Sequence, residues 1–442
     1  VIGVHLLLSS QAQSPYASIR ADQGTLTAPA TTKPCSGSSD GSCVQFGTPP
    51  TSAISFSVVG NKIMESNHTQ FVPYGFVLEC PAIDAPQVAT NSIAINSKGS
   101  LCDGSDYSGN SGVDQIQAAA TDWNANIVRL QVAQEALFNG TSTVDGTTGI
   151  NMAYLTLINN LVTQANSLGM VATVTLQEEV DGSGSFAFPT ASSTKFWTFM
   201  ANYYKNNPEV FFDIYNEPSL DANAFPNDNA TQAESDIWNI WQNGGPADTE
   251  SKSGTVNTAS TTDYVGMQSL VNTIRAQGAN NIIIAEGPDH DKDLTQLLVT
   301  STNTVSHQLT GSNIAYGVEP NLRDDNTQAL QYARFGQVDA TVPVVPEAFL
   351  DAYMVDTCWK DSPTDLPPLL AYLKSLNMGL QFWSLIPGIA IQGKNLDMPT
   401  TYGSATTIDC GSGTATVQSI AGNTIGYGQL VQSYFKANSV KL

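Results

Sequence analysis

Charge is what this sequence has least of. Only 13% of its 442 residues are Asp, Glu, Lys or Arg, against a usual share of about 25%, so Ser, Thr, Asn, Gln and Gly must carry the surface. A hydrophobic share of 41% excludes a disordered polyelectrolyte and suffices for a sizeable core. Positive charge is scarcer still: 17 Lys and Arg stand against 39 Asp and Glu, for a net charge of −22 and a pI near 4.2. Such a field repels phosphate backbones and anionic lipid headgroups, which excludes nucleic acid as a partner and favours a neutral or cationic ligand. Past the first residues, no run approaches the ~20 apolar positions of a membrane span. No Cys-x-x-Cys pair occurs, and His5, His68, His290 and His307 stand far apart with no Cys at ligand spacing. No structural zinc site, other metal or cofactor is therefore expected.

Residues 1–8 are mostly apolar and run into Ser9, Ser10, Gln11 and Ala12. The stretch reads as the tail of a secretory signal or signal-anchor, or else as an ordinary apolar strand. The first reading makes the protein secreted or extracellular, with an N-terminal membrane tether as its variant. An even count of six Cys in an acidic, exported chain then favours disulfides, paired as Cys35–Cys43, Cys80–Cys102 and Cys358–Cys410. Free buried thiols in a cytosolic protein are the alternative.

Residues 1–55 are rich in Ser, Thr, Gly and Pro and read as an extended arm. Residues 56–442 read as the second domain, and a hairpin-like stretch over 54–64 stands at its entrance as a cap. From Phe71 onward, short apolar runs alternate with amphipathic ones, the pattern of repeated βα units. The strand candidates are 74–78, 126–130, 171–176, 210–215, 281–285, 313–318, 342–345 and 379–383. Helical periodicity between them ends at Gly169, Gly278 and Gly379. Eight units over this length predict a (β/α)₈ TIM barrel, with its longest insertion over 219–262. An open doubly wound sheet is the alternative, but no Gly-x-Gly-x-x-Gly turn comes after the first strand.

In such a barrel the chemistry sits where strands end, and here the strand ends carry carboxylates: Glu79, Glu178, Glu179, Glu217, Glu286, Glu319 and Glu347. Clustered like charges and burial raise one another's pKa values, so one acid can stay protonated while another acts as nucleophile. The sharpest motif is Asn216-Glu217-Pro218, reached directly from the apolar run 210–215. Its bland reading is a loop in which Pro218 ends the strand and Glu217 is solvated.

The strand ending in Asn216-Glu217-Pro218, the strand 342–346 leading to Glu347, Arg129 in Asn-Ile-Val-Arg-Leu, and Trp383 in Leu-Gln-Phe-Trp-Ser together resemble glycoside hydrolase family 5, the cellulase and mannanase family. The likeness runs from about residue 55 to the end of the chain, and Gly60-Asn61-Lys62-Ile63 with 71–75 after it is similar to the family's approach to its first strand. The resemblance implies a retaining glycosidase cleaving β-glycosidic bonds in a polysaccharide or oligosaccharide of the β-glucan or β-mannan type. Glu217 would protonate the leaving oxygen and later activate water, and Glu347 would attack the anomeric carbon, the two carboxyls lying about 5 to 5.5 Å apart. Asn216 would hold the sugar 2-hydroxyl. Arg129 would keep Glu347 ionised, or else form a plain core ion pair. Trp383 would stack on a sugar ring or simply pack. Trp359, Trp238 and Trp241 would line further subsites or pack within loops.

The chain departs from the family pattern at several points. Gln177 stands where the family has a His after the third strand, and Glu319 and Asn321 stand where it has His-x-Tyr after the sixth, the Tyr being the nucleophile's usual hydrogen-bond partner. Gln177 and Glu319 are therefore placed among the substrate-binding candidates. Pro346 and Ala348 also flank Glu347 unusually. Two other readings stay open: a carbohydrate-binding barrel without catalysis, and a metal-dependent isomerase or lyase using Glu179, Glu286 and Glu319.

Overall fold

The structure, a computed structural model, describes residues 31–34 and 42–45 and then 54–83, 102, 110–178, 186–251, 254–301, 303–320, 327–348, 366–385, 390–400 and 428–442. The chain divides into two units, 1–53 and 54–442. In the first, strands Thr31–Pro34 and Ser42–Gln45 pair antiparallel, with Lys33 opposite Cys43. In the second, Cys80 and Cys102 form the expected disulfide. The other two proposed cysteine pairs rest on side chains outside the described residues.

All eight anticipated barrel strands form. They are β1 (Tyr74–Leu78), β2 (Ile127–Ala133), β3 (Val171–Glu178), β4 (Val210–Asp213), β5 (Ile283–Glu286), β6 (Ile314–Val318), β7 (Val344–Pro346) and β8 (Leu380–Phe382). They hydrogen-bond in the order β7-β6-β5-β4-β3-β2-β1-β8, all parallel. Consecutive strands are neighbours and β8 returns to β1, which makes a (β/α)₈ barrel. Among the described residues only the β7–β8 seam lacks a ladder.

Side chains alternate across each strand, and the sequence uses that period to build three environments. Outward residues such as Phe76, Val128, Val174, Phe212, Tyr316 and Phe382 join the large core beneath the helices. Inward residues Ile127, Val171, Phe211, Ile284, Ala315 and Val345 form a separate apolar cluster, closed from below by Phe56 and Ile63 of the hairpin and by Phe71. The rings of Phe56, Phe71 and Phe211 meet edge to face, with centroids 5.0 to 5.8 Å apart. The hairpin, Phe56–Val59 with Lys62–Glu65, thus caps the barrel as expected. Two residues further along the same six strands stand Arg129, Thr173, Asp213, Glu286, Gly317 and Glu347. The barrel interior turns from apolar to ionic within one strand period.

Helices Met152–Ser167 and Met267–Ala276 end as their sequences predict, with Gly169 and Gly278 in the left-handed region. The third does not. Helix Leu366–Ser375 is followed by Asn377 at φ 56°, and Gly379 leads into β8, where a Cβ would lie 1.6 Å from the Pro73 carbonyl oxygen. Gly379 is needed for close backbone packing rather than as a helix cap. Within the expected insertion over 219–262, helix Ala230–Asn243 leads into strands Gly244–Glu250 and Val256–Val265, which pair antiparallel. Among the described residues no helix is long and apolar enough to cross a membrane.

Candidate active site

Arg129 is the centre of the ionic tier. Reached from β2 and fully buried, it donates from Nε and Nη2 to Asp213 Oδ2 at 2.9 and 2.6 Å. Nη2 also donates to Asn216 Oδ1 at 2.8 Å and to Glu286 Oε1, while Nε lies 3.9 Å from Glu347 Oε2. Burial opposes its charge, but Asp213, Glu286 and Glu347 together hold its pKa well above the ordinary value. Carboxylate oxygens of those three acids lie within 4.8 Å of one another. Three acids facing one guanidinium cannot all ionise cheaply in a dry interior. Burial, then the charge of Asp213, accordingly pushes the Glu286 carboxyl well above the ordinary range in spite of Arg129.

Glu347, the first residue past β7, is fully buried and receives Gln381 Nε2 on Oε1 at 2.8 Å. Arg129 favours the ionised form of this side chain, the direction expected of it, but it does not act alone. Burial, followed by the charge of Asp213, outweighs Arg129 and the Gln381 hydrogen bond and pushes its pKa up to about 8. Arg129 makes its short hydrogen bonds to Asp213, Asn216 and Glu286 and stands 3.9 Å from Glu347. Arg129 is thus a core ion-pair hub as well as a neighbour of the predicted nucleophile.

The Asn216-Glu217-Pro218 turn is held on both sides. Asn216 N–H donates to the Leu176 carbonyl of β3 at 3.0 Å, and His290 N–H donates to the Pro218 carbonyl at 3.1 Å. Between them Glu217 sits at φ 46°, and its own N–H donates to Glu286 Oε2 at 2.5 Å. Asn216 is buried, and its Nδ2 makes no hydrogen bond among the described residues, which leaves a donor uncommitted.

Glu319 comes directly after β6, and its N–H donates to the Asp291 carbonyl at 2.6 Å. Burial and then the nearby charge of Glu217 raise its carboxyl pKa well above the ordinary value, against Lys292 and Arg129. Glu319 and Glu217 therefore share one field. Gln177 is the penultimate residue of β3 and half-buried; Trp383 comes after β8, half-buried and joined to Ser384 by a cis peptide bond. Glu79 lies just past β1 and Glu178 ends β3. Trp359, Asn321 and Glu179 lie outside the described residues. Trp238 and Trp241 are buried: their rings meet at 5.1 Å, Trp238 also packs on His307, and the Trp241 indole donates to the Glu286 carbonyl at 2.8 Å. They support the barrel end from behind, so loop packing is the reading that holds. Among the described residues the carboxylates gathered here are Asp213, Glu286 and Glu347, with a guanidinium between them; of the isomerase set, Glu286 belongs to this cluster and Glu179 lies outside the described residues.

Three residues escape a reading of strand ends. Asp213 and Gln381 lie inside runs that read as apolar strands, and Asp291 lies in the turn after β5. A signal existed for the first two: a lone acid or amide within an apolar strand requires a polar partner once that strand is buried. Asp291 had none. Residues 289–291 all take positive φ, and burial, then the charges of Glu286 and Glu347, raises the Asp291 carboxyl well above its ordinary range.

The fold and this constellation define a class: barrel enzymes with carboxylates at the C-terminal ends of β4 and β7. The family model for cellulase, glycosyl hydrolase family 5, matches residues 84–329, more than half of the chain. The chain belongs to glycosyl hydrolase family 5 and is an O-glycosyl hydrolase of the cellulase family. No curated protein sequence matches it. Among solved structures it is similar to the β-glucanase SdGluc5_26A from Saccharophagus degradans in complex with cellotetraose, at 15% identity over 79% of this chain and 90% of that one, TM-score 0.52. It is also similar to a hyperthermophilic endocellulase from the archaeon Pyrococcus horikoshii, at 15% identity over 75% and 90%, TM-score 0.51. These likenesses bear on the fold.

Proposed function

We propose that the protein is a retaining β-glucan hydrolase, with Glu217 as acid and base and Glu347 as nucleophile. One observation carries the reading: Glu217 on the β4 turn and Glu347 past β7 both attach to a single buried cluster, the first through its main-chain N–H and the second through its carboxylate oxygens. In the first step Glu347 bonds to the anomeric carbon as the glycosidic bond breaks, and the departing oxygen takes the Glu217 proton. In the second, water attacks that carbon, Glu217 takes the water's proton, and the bond to Glu347 breaks. Asn216 offers Nδ2 to the sugar 2-hydroxyl, and Trp383 offers its face to a pyranose ring.

Export is supported by the signal-like opening and by the Cys80–Cys102 disulfide, which favours an oxidising compartment. An N-terminal tether remains part of the same proposal. The test is to digest soluble β-glucans and mannans with the wild type and with Glu217→Gln and Glu347→Gln, reading the anomer first released by NMR. A 2-deoxy-2-fluoro glycoside should label Glu347. Inversion, a label elsewhere, or activity surviving both substitutions would overturn the assignment.

A further inference from the structure

We propose that Glu286 positions the general acid: its carboxyl ties the Glu217 main chain to Arg129, so that one buried side chain sets the acid in register with the nucleophile. The inference rests on the roles given above to Glu217 and Glu347 and adds a third carboxyl with a different task.

Glu217 occupies the left-handed region, which a residue bearing a side chain enters only when its surroundings impose it. Three hydrogen bonds impose it here. The bonds from Asn216 to Leu176 and from His290 to Pro218 join backbone to backbone and survive any side-chain change. The bond from Glu217's own N–H goes to Glu286 Oε2, and it alone of the three depends on a side chain. The other oxygen of that carboxyl takes Arg129 Nη2. Glu286 is itself fixed from both sides. Trp241 donates to its carbonyl at 2.8 Å, and Gly317 leaves the room its side chain fills, since a Cβ there would lie 2.9 Å from Glu286 Cγ.

A carboxyl can accept two donors, one on each oxygen, whereas an amide has one acceptor and one donor group. In Glu286→Gln the amide NH₂ must therefore face either the Glu217 N–H or the Arg129 guanidinium. Either choice shifts the turn that carries the acid.

The readout that separates positioning from plain scaffolding is leaving-group dependence of kcat/KM. A cello-oligosaccharide leaves as an alcohol and needs protonation; 2,4-dinitrophenyl β-cellobioside leaves as an acidic phenol and does not. Glu286→Gln should lose about 10- to 100-fold on the oligosaccharide, as expected for a displaced catalytic group, with less than about threefold lost on the aryl glycoside. Glu286→Asp, which keeps the acid but draws it back by one methylene, should show the same selectivity to a smaller degree and provides the measurement if the glutamine variant fails to fold. Equal losses on both substrates, or no loss on either, in a variant melting near wild type overturn the proposal. Glu217→Gln, run alongside, keeps the two failures apart. If it too lacks selectivity, the acid assignment itself is wrong; if only the Glu286 variants lack it, the positioning role alone falls.

Discussion

Gln381 on β8 donates to the carboxylate of Glu347 past β7 at 2.8 Å, across the seam of the barrel where, among the described residues, neighbouring strands share no ladder. A side-chain hydrogen bond stands where main-chain pairing ends, and it falls on the proposed nucleophile. The resemblance drawn from sequence placed a Tyr in that role and found none at the expected position. The amide of Gln381 supplies a donor from another strand.

Replacing Gln381 by Met removes a donor that favours the ionised form of Glu347. The nucleophile must be ionised to attack, so the rising limb of kcat/KM with pH reports its ionisation, shared with the acids it touches. That limb should lie above the ordinary glutamate range in the wild type and move to higher pH in the variant, by about half to one unit for one hydrogen bond. A pH profile unchanged by the substitution would remove Gln381 from the account.

Gly317 on β6 lies beneath two carboxyls. A Cβ there would approach Glu286 Cγ and Glu347 Oε2 at 2.9 Å each, both in a buried tier with no room to yield. Gly317→Ala should cost about 1–3 kcal/mol of stability through overpacking and about 100-fold in kcat through displacement of Glu347. Thermal melts and steady-state kinetics on a soluble β-glucan would check both, and wild-type kcat in the variant would be inconsistent with the tight tier.

Several buried acids make stability fall with rising pH. Glu250, the last residue of strand Gly244–Glu250, accepts the Asp221 N–H at 2.8 Å, yet burial still pushes its pKa from the ordinary 4.5 up to about 7. The folded state then holds a proton that the unfolded chain releases, so the stability this group contributes is complete below about pH 4.5 and is lost as the pH climbs to about 7. Glu286, Asp291 and Glu347 shift in the same direction. The melting temperature should be higher near pH 5 than near pH 8. Glu250→Gln, which can still accept from Asp221, should match the wild type near pH 5 and melt above it near pH 8. A variant melting below the wild type at both values would contradict this.

The readable part of the molecule was the part governed by local periodicity. Alternation between strand-like and helix-like runs located all eight barrel strands, and Gly169 and Gly278 marked two helix ends because a left-handed residue is a local demand. Gly379 misled for the opposite reason: its cause is the Pro73 carbonyl, some three hundred positions away in the chain. Trp238 and Trp241 were ambiguous because an aromatic in an insertion reads the same whether it faces a sugar or a neighbouring indole.

By itself the sequence settled that eight short apolar runs alternate with helices and that carboxylates stand at their ends, since strand period and chain order are properties of neighbouring residues. Which acids would meet which cation was decided only when the barrel closed. Arg129, Asp213, Glu286 and Glu347 come from four different strands, and their pairing depends on inward direction and register. Glu347 rises to about 8 despite a guanidinium 3.9 Å away. That outcome depends on burial and on distances between side chains far apart in the chain.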